Sequence, residues 1–137
     1  MKVFFFISSA LIAFCSLICS AEIQQNGDYD IHYAVFPSRI IPPEVALAHN
    51  LVRADNKIIV NVSVKTGEQT TKAKLSGFVI NLLEQVIELE FMEVNEGNAI
   101  YYLATHTSQA EDTLRFNLLI TPPDSEPLPI TFMQRYD

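Results

Sequence analysis

The chain has 137 residues, with 16 acidic and 9 basic side chains, a net charge of −7, no tryptophan and two cysteines. Its length fits one domain behind a short leader. An acidic chain without a Lys/Arg cluster lacks the basic patch that displaces counterions from phosphate, which excludes nucleic acid as a partner and disfavours anionic membrane surfaces.

The first element in chain order is the leader. Met1-Lys2 supplies a positive start, Val3 to Ile18 carries no charge, and Cys19-Ser20-Ala21 places small residues before Glu22. This three-part layout predicts a secretory signal peptide over residues 1–21, cleaved between Ala21 and Glu22. Neither Cys15 nor Cys19 follows the small residue that a lipoprotein signal needs. The apolar run is slightly short for a bilayer span; membrane association would follow only if the leader were retained as an anchor. Cleavage leaves residues 22–137, a cysteine-free domain of 116 residues whose net charge becomes −8 through loss of Lys2. Thiol chemistry, thiolate zinc sites and disulfide stapling are thereby excluded from it.

Past residue 22 the period is two, which sends successive side chains to opposite faces of a sheet. After the turn signal Asn26-Gly27, Tyr29, Ile31, Tyr33 and Val35 alternate with Asp28, Asp30, His32 and Ala34. Pro42 to Ala48 predicts one short helix, with proline pre-set for its first turn, Glu44 near the positive end and His49 closing it. Ile58, Val60, Val62 and Val64 alternate with Lys57, Asn61, Ser63 and Lys65 in a second strand rich in β-branched residues.

A third strand is predicted over Thr70 to Ile80, with Ala73, Leu75 and Val79 on one face. A fourth covers Val86 to Val94, with Ile87, Leu89 and Phe91 inward. Val79, Leu82, Leu83, Val86 and Ile87 also fit a helical stripe, but the alternation of Glu88-Leu89-Glu90-Phe91 favours strands. Burying Ala73 and Leu75 beside Leu89 and Phe91 requires opposed residue numbers with an even sum. That centres the hairpin near Leu83 and brings Lys72 and Lys74 towards Glu88 and Glu90. Asn98 to His106, Leu114 to Ile120 and Leu128 to Tyr136 complete the set. Seven strands punctuated by Gly, Pro, Asn and Asp predict an all-β, immunoglobulin-like antiparallel sandwich with one short helix.

Ile31-His32-Tyr33, Ile41-Pro42-Pro43-Glu44-Val45-Ala46, Asn61-Val62-Ser63-Val64, Glu96-Gly97-Asn98-Ala99-Ile100-Tyr101-Tyr102 and Phe132-Met133-Gln134-Arg135-Tyr136 occur in that order. This succession resembles the domain of unknown function 4426 family of small exported proteobacterial proteins, over roughly Asp28 to Tyr136. The resemblance implies a periplasmic location and a single β-domain. It brings no activity and no catalytic residue.

Chemistry-bearing residues are sparse. His32, His49 and His106 show no metal-ligand spacing, and the acid pairs Asp28/Asp30 and Glu93/Glu96 lack a cleft of their own. There is no nucleophile elbow and no glycine-rich phosphate loop. Tyr101 and Tyr102 are expected on opposite faces, one in the core and one exposed. His32, Tyr33, Tyr101 and Tyr102 are the candidate partner-binding surface, since aromatic rings anchor interfaces. The expectation is a non-enzymatic binding or assembly module that meets a protein partner in the cell envelope and carries no cofactor. The alternative is a metal-binding or small hydrolytic protein using His32, His106 and nearby acids.

Overall fold

The computed structural model describes residues 21–108 and 111–136, so the predicted leader lies outside the described residues up to Ser20. Its strands are β1 (Ala21–Asn26), β2 (Tyr29–Pro37), β3 (Lys57–Thr66), β4 (Gln69–Thr71), β5 (Lys74–Ile80), β6 (Val86–Leu89), β7 (Met92–Glu96), β8 (Ala99–Thr107), β9 (Asp112–Thr121) and β10 (Leu128–Tyr136). A 3-10 turn at Ser38–Ile40 and the helix α1 (Pro43–Ala48) separate β2 from β3.

All pairings are antiparallel. The first sheet runs β1-β2-β3-β8-β7, with β4 also on β3, and the second runs β10-β9-β5-β6. Leaving out β1 and β4, these orders are A-B-E-D and G-F-C-C′, the Greek-key arrangement of the immunoglobulin sandwich. The inner faces meet as the alternation requires. Ile31, Val60, Val62, Val64, Val79, Leu114, Phe116 and Ile120 are wholly buried. The Phe132 ring stacks between Phe116 and Tyr33, at centroid distances of 4.8 and 5.0 Å.

Seven expected strands become ten through two divisions and one addition. The Thr70 to Ile80 segment is two strands, since β4 pairs with β3 in the first sheet while β5 pairs with β6 and β9 in the second. The Val86 to Val94 segment likewise divides into β6 and β7, which lie in opposite sheets. The chain crosses the sandwich at Lys72-Ala73 and at Glu90-Phe91, and Ala73 and Phe91 stay packed against the core while it does so. The alternation therefore continues unbroken through both crossings. The tenth strand is β1, paired with β2 through a two-residue loop that starts at Gly27. Gly27 has φ +63° while Asp28 is not left-handed, the combination a type II′ hairpin requires.

The β5–β6 ladder pairs Gly77 with Leu89 and Ile80 with Val86, which centres on Leu83 as the face argument demanded. The ladder ends at Gly77, so Lys72 and Lys74 do not reach Glu88 and Glu90. Lys72 instead lies 3.9 Å from Glu93, and Lys74 opposes Thr121. Gly77 is needed for close approach. A Cβ there would stand 2.8 Å from both the Asn117 carbonyl oxygen and Leu118 Cδ2.

Candidate functional site

The outer face of the first sheet carries an apolar concavity. Along β3 the burial pattern breaks its period, because Ile58, Ile59 and Val60 are all buried. Ile59 points away from the main core into a second cluster with Ile41 and Ala46, flanked by Phe36, Leu51 and Leu103. Pro42-Pro43 sets the helix start, and α1 lays Ala46 onto the sheet. The return loop is pinned by two bonds at Ser38, whose hydroxyl donates to the Ala54 carbonyl and accepts the Ala54 N–H, both at 2.9 Å. A helix of six residues is too short to cover five strands, and a groove is left beside it.

That groove has a volume of about 340 Å³ and is walled by Phe36, Ile41, Val45, Leu51, Tyr101 and Leu103. Asn61 lies in its floor, and its Oδ1 is buried without a hydrogen-bond partner. At the rim, His49 Nε2 stands 3.4 Å from Glu96 Oε1, joining the end of α1 to β7. Ile40 at 50%, Val45 at 38% and Leu47 at 82% exposure leave further apolar surface around the helix. The arrangement can hold an apolar group against the walls and offer its polar end to Asn61 or to the rim pair.

The four residues of the predicted partner surface are divided by the sheet. His32 is on the outer face, opposite Ile23 and Ser63, and Tyr101 is the groove residue already named. Tyr33 packs against the core, where burial first and Glu22 second push its hydroxyl pKa up. Tyr102 is the core tyrosine of the Tyr101-Tyr102 pair, with 6% exposure. Its hydroxyl accepts the Ala73 N–H and donates to Glu93 Oε1, each at 3.0 Å, so it ties the first sheet crossing to β7. The Asn95 amide and then the Tyr102 hydroxyl hold the Glu93 carboxyl below its ordinary range, helped by Lys72. The four side chains do not form one surface.

The histidines of the alternative reading are also separated. His32 lies outside the first sheet, whereas His106 is 3% exposed and faces the second. Burial lowers the His106 pKa and the Asp112 carboxylate opposes that shift. Asp112 accepts the Leu82 N–H at 3.0 Å and sits opposite Tyr136, whose buried hydroxyl is pushed up to about 12. Glu93 and Glu96 face opposite sides of β7, bonded to Tyr102 and His49 respectively. Among the described residues no three His, Cys, Asp or Glu side chains are grouped to hold a metal ion.

A model of the family described as domain of unknown function (DUF4426) matches residues 23–136. The chain belongs to this family. The crystal structure of a DUF4426 family protein from Pseudomonas aeruginosa PAO1 is similar, with 32% identity and a TM-score of 0.76 over 84% of this chain and 93% of that one. A copper-bound variant of FetP from uropathogenic Escherichia coli strain F11 superposes with a TM-score of 0.59 at 12% identity, over 86% of this chain and 95% of that one. FetP as isolated after recombinant expression in the E. coli periplasm gives 0.58 at 11%, over 86% and 94%. At those identities the likeness to FetP is one of fold. No curated protein matches the chain. Among the described residues no helix is long and apolar enough to cross a membrane.

Sequence reasoning missed the groove. Its one signal was Ile59, an apolar residue at a position where the alternation of β3 calls for a polar one.

Proposed function

We propose that this DUF4426 domain is an exported, non-enzymatic binding module of the periplasm, and that the groove beside α1 is its ligand site. The observation that carries the reading is the groove itself: an apolar concavity at the lower end of the size range of small-molecule pockets, with one unpaired amide in its floor. Export is supported by the leader pattern ending at Ala21. Membership of a family without an assigned activity is compatible with a binding role, and the scattered histidines and acids give no group poised to attack or to transfer protons.

The test is a titration of the protein with Nile red, a neutral fluorophore that brightens in apolar surroundings. Saturable binding at one site is expected. Leu103→Trp, which fills the groove from its wall, should weaken it about tenfold, equivalent to about 1.4 kcal/mol. Unchanged binding in a folded Leu103→Trp protein rules the groove out. Export is tested separately by N-terminal sequencing of the protein from the periplasmic fraction, which should begin at Glu22.

A further inference from the structure

The groove beside α1 changes character along its length. Phe36 of β2 pairs with Ile59 of β3, Asn61 of β3 with Leu103 of β8, and Tyr101 of β8 with Val94 of β7. The lining therefore steps diagonally over four strands, and Glu96 of β7 stands at its far end. The Phe36 end is built with Ile41 and Leu51, whereas the Glu96 end holds His49 and Tyr101. A groove of that form suits an elongated molecule with an apolar tail and one polar head.

Three observations fix the sign of that head. Among the described residues lining the groove there is no lysine or arginine, and Glu96 supplies the carboxylate. The arginines that flank α1 in sequence are engaged elsewhere, Arg39 with Asp55 and Arg53 with the Arg39 carbonyl. Second, His49 leaves the carboxylate available. Its Nε2 stands 3.4 Å from Oε1, longer than the usual N–H···O span of about 2.7–3.2 Å, and the Glu96 side chain stays 58% exposed. Third, an aromatic ring reaches the same place. Val94 and Glu96 share the outer face of β7 and Tyr101 opposes Val94, which makes Tyr101 and Glu96 diagonal neighbours. That separation, roughly 7–8 Å, is one that long side chains bridge. A cation there meets the carboxylate and a ring face that attracts it, while an anionic head meets only repulsion. The other polar group, Asn61 Oδ1, is buried, and a charged head keeps its hydration at Glu96 but loses it at Asn61.

We propose that the groove holds an amphipathic amine, its ammonium between Glu96 and Tyr101 and its apolar tail running towards Phe36. This rests on the groove being the ligand site, and adds to it the charge of the head and the direction of the tail. The whole chain favours the same sign, since 16 acidic against 9 basic side chains raise the local concentration of cations.

The experiment displaces Nile red from protein expressed with its own leader, using octylamine, octanol and octanoate. The three share one tail and differ in the charge of the head. In low salt at about pH 8 the amine is protonated and the acid ionised. Octylamine should displace the dye at about a fivefold lower concentration than octanoate, with octanol between them. Glu96→Gln, which keeps the length of the side chain, should bring amine and carboxylate level when each is read against octanol. Nuclear Overhauser contacts should join the tail methyl of octylamine to the Phe36 ring and the methylene beside nitrogen to Tyr101. Equal displacement by amine and carboxylate, a preference for octanoate, a preference that survives Glu96→Gln, or reversed contacts would each overturn the proposal and leave the groove standing as the ligand site. Failure of Nile red to bind, or of octanol to displace it, overturns the groove itself and the amine with it.

Discussion

The two faces of the first sheet show what the same strands do under different cover. On the inner face, Ile31, Val60, Val62 and Val64 meet a second sheet and are sealed from water. On the outer face, Ile59 is equally buried, but its cover is a six-residue helix with a groove beside it. A sheet covers a sheet continuously because both present the same two-residue repeat. A six-residue helix is only about 9 Å long and about 10 Å across, and the uncovered remainder of that face is the groove. Packing stability therefore resides inside the sandwich, and the proposed binding site lies outside it.

The largest effect that tests this contrast is Phe116→Ala. The ring is fully buried, and its removal should cost about 3–5 kcal/mol of unfolding free energy in urea titrations. Ile59→Ala removes an equally inaccessible side chain yet should cost only about 2 kcal/mol, the lower end for such changes, because the vacated volume merges with the open groove. Equal losses at the two positions would mean that the outer cluster is closed core and not the wall of a site.

Next in size is Tyr102→Phe. The change keeps the ring and removes the hydroxyl that accepts the Ala73 N–H and donates to Glu93. Leaving that N–H unpaired at a half-buried crossing should cost about 1–3 kcal/mol. Hydrogen exchange should speed up at Ala73 before it does at Val62, since the crossing is pinned by one side chain and β3 by its ladders. Uniform acceleration through the sheet would show that the crossing has no separate stability.

What was legible in the sequence follows the same division. The inner face could be read because apolar residues repeat every second position in β2, β3 and β9, and the Leu83 centre followed from parity alone. The crossings could not be read. Ala73 and Phe91 keep the period while the chain changes sheets, so one long strand and two short ones look alike. β1 escaped because Ala21–Asn26 has one β-branched residue, Ile23, and is held by pairing without burial. The groove was hidden because its lining comes from β2, α1, β3, β7 and β8, and only spacing in three dimensions unites Phe36 with Leu103. His32, Tyr33, Tyr101 and Tyr102 were chosen for ring chemistry, and residue parity already divided them between the two faces.

A smaller effect should appear with acid, inside the sandwich. His106 is buried and its pKa is lowered by that burial, with Asp112 opposing. The folded state thus takes up a proton less readily than the unfolded chain, whose histidine titrates near 6.5. Above that pH both states are neutral at this residue and its contribution to stability is complete. As pH falls below 6.5 the unfolded state binds the proton first, and stability is lost until the folded pKa is reached. Urea midpoints measured between pH 7.5 and 5 should fall in the parent protein and fall less in His106→Gln. Equal slopes would place the acid sensitivity elsewhere.

The smallest stability effect belongs to the rim of the groove. The His49–Glu96 contact is 3.4 Å long, and the Glu96 side chain is 58% exposed, so solvent screens it. His49→Ala should change unfolding free energy by less than about 1 kcal/mol. Its effect on ligand should be the reverse in rank. The contact spans from the end of α1 to β7 and narrows the groove mouth, so its loss should speed Nile red dissociation in stopped-flow measurements while leaving Phe116 and its neighbours as stable as before. A variant nearly silent in denaturation but fast in release would separate the two faces functionally. If His49→Ala instead unfolds at lower urea and releases the dye no faster, the rim is a structural clasp and the groove mouth is set by α1 alone.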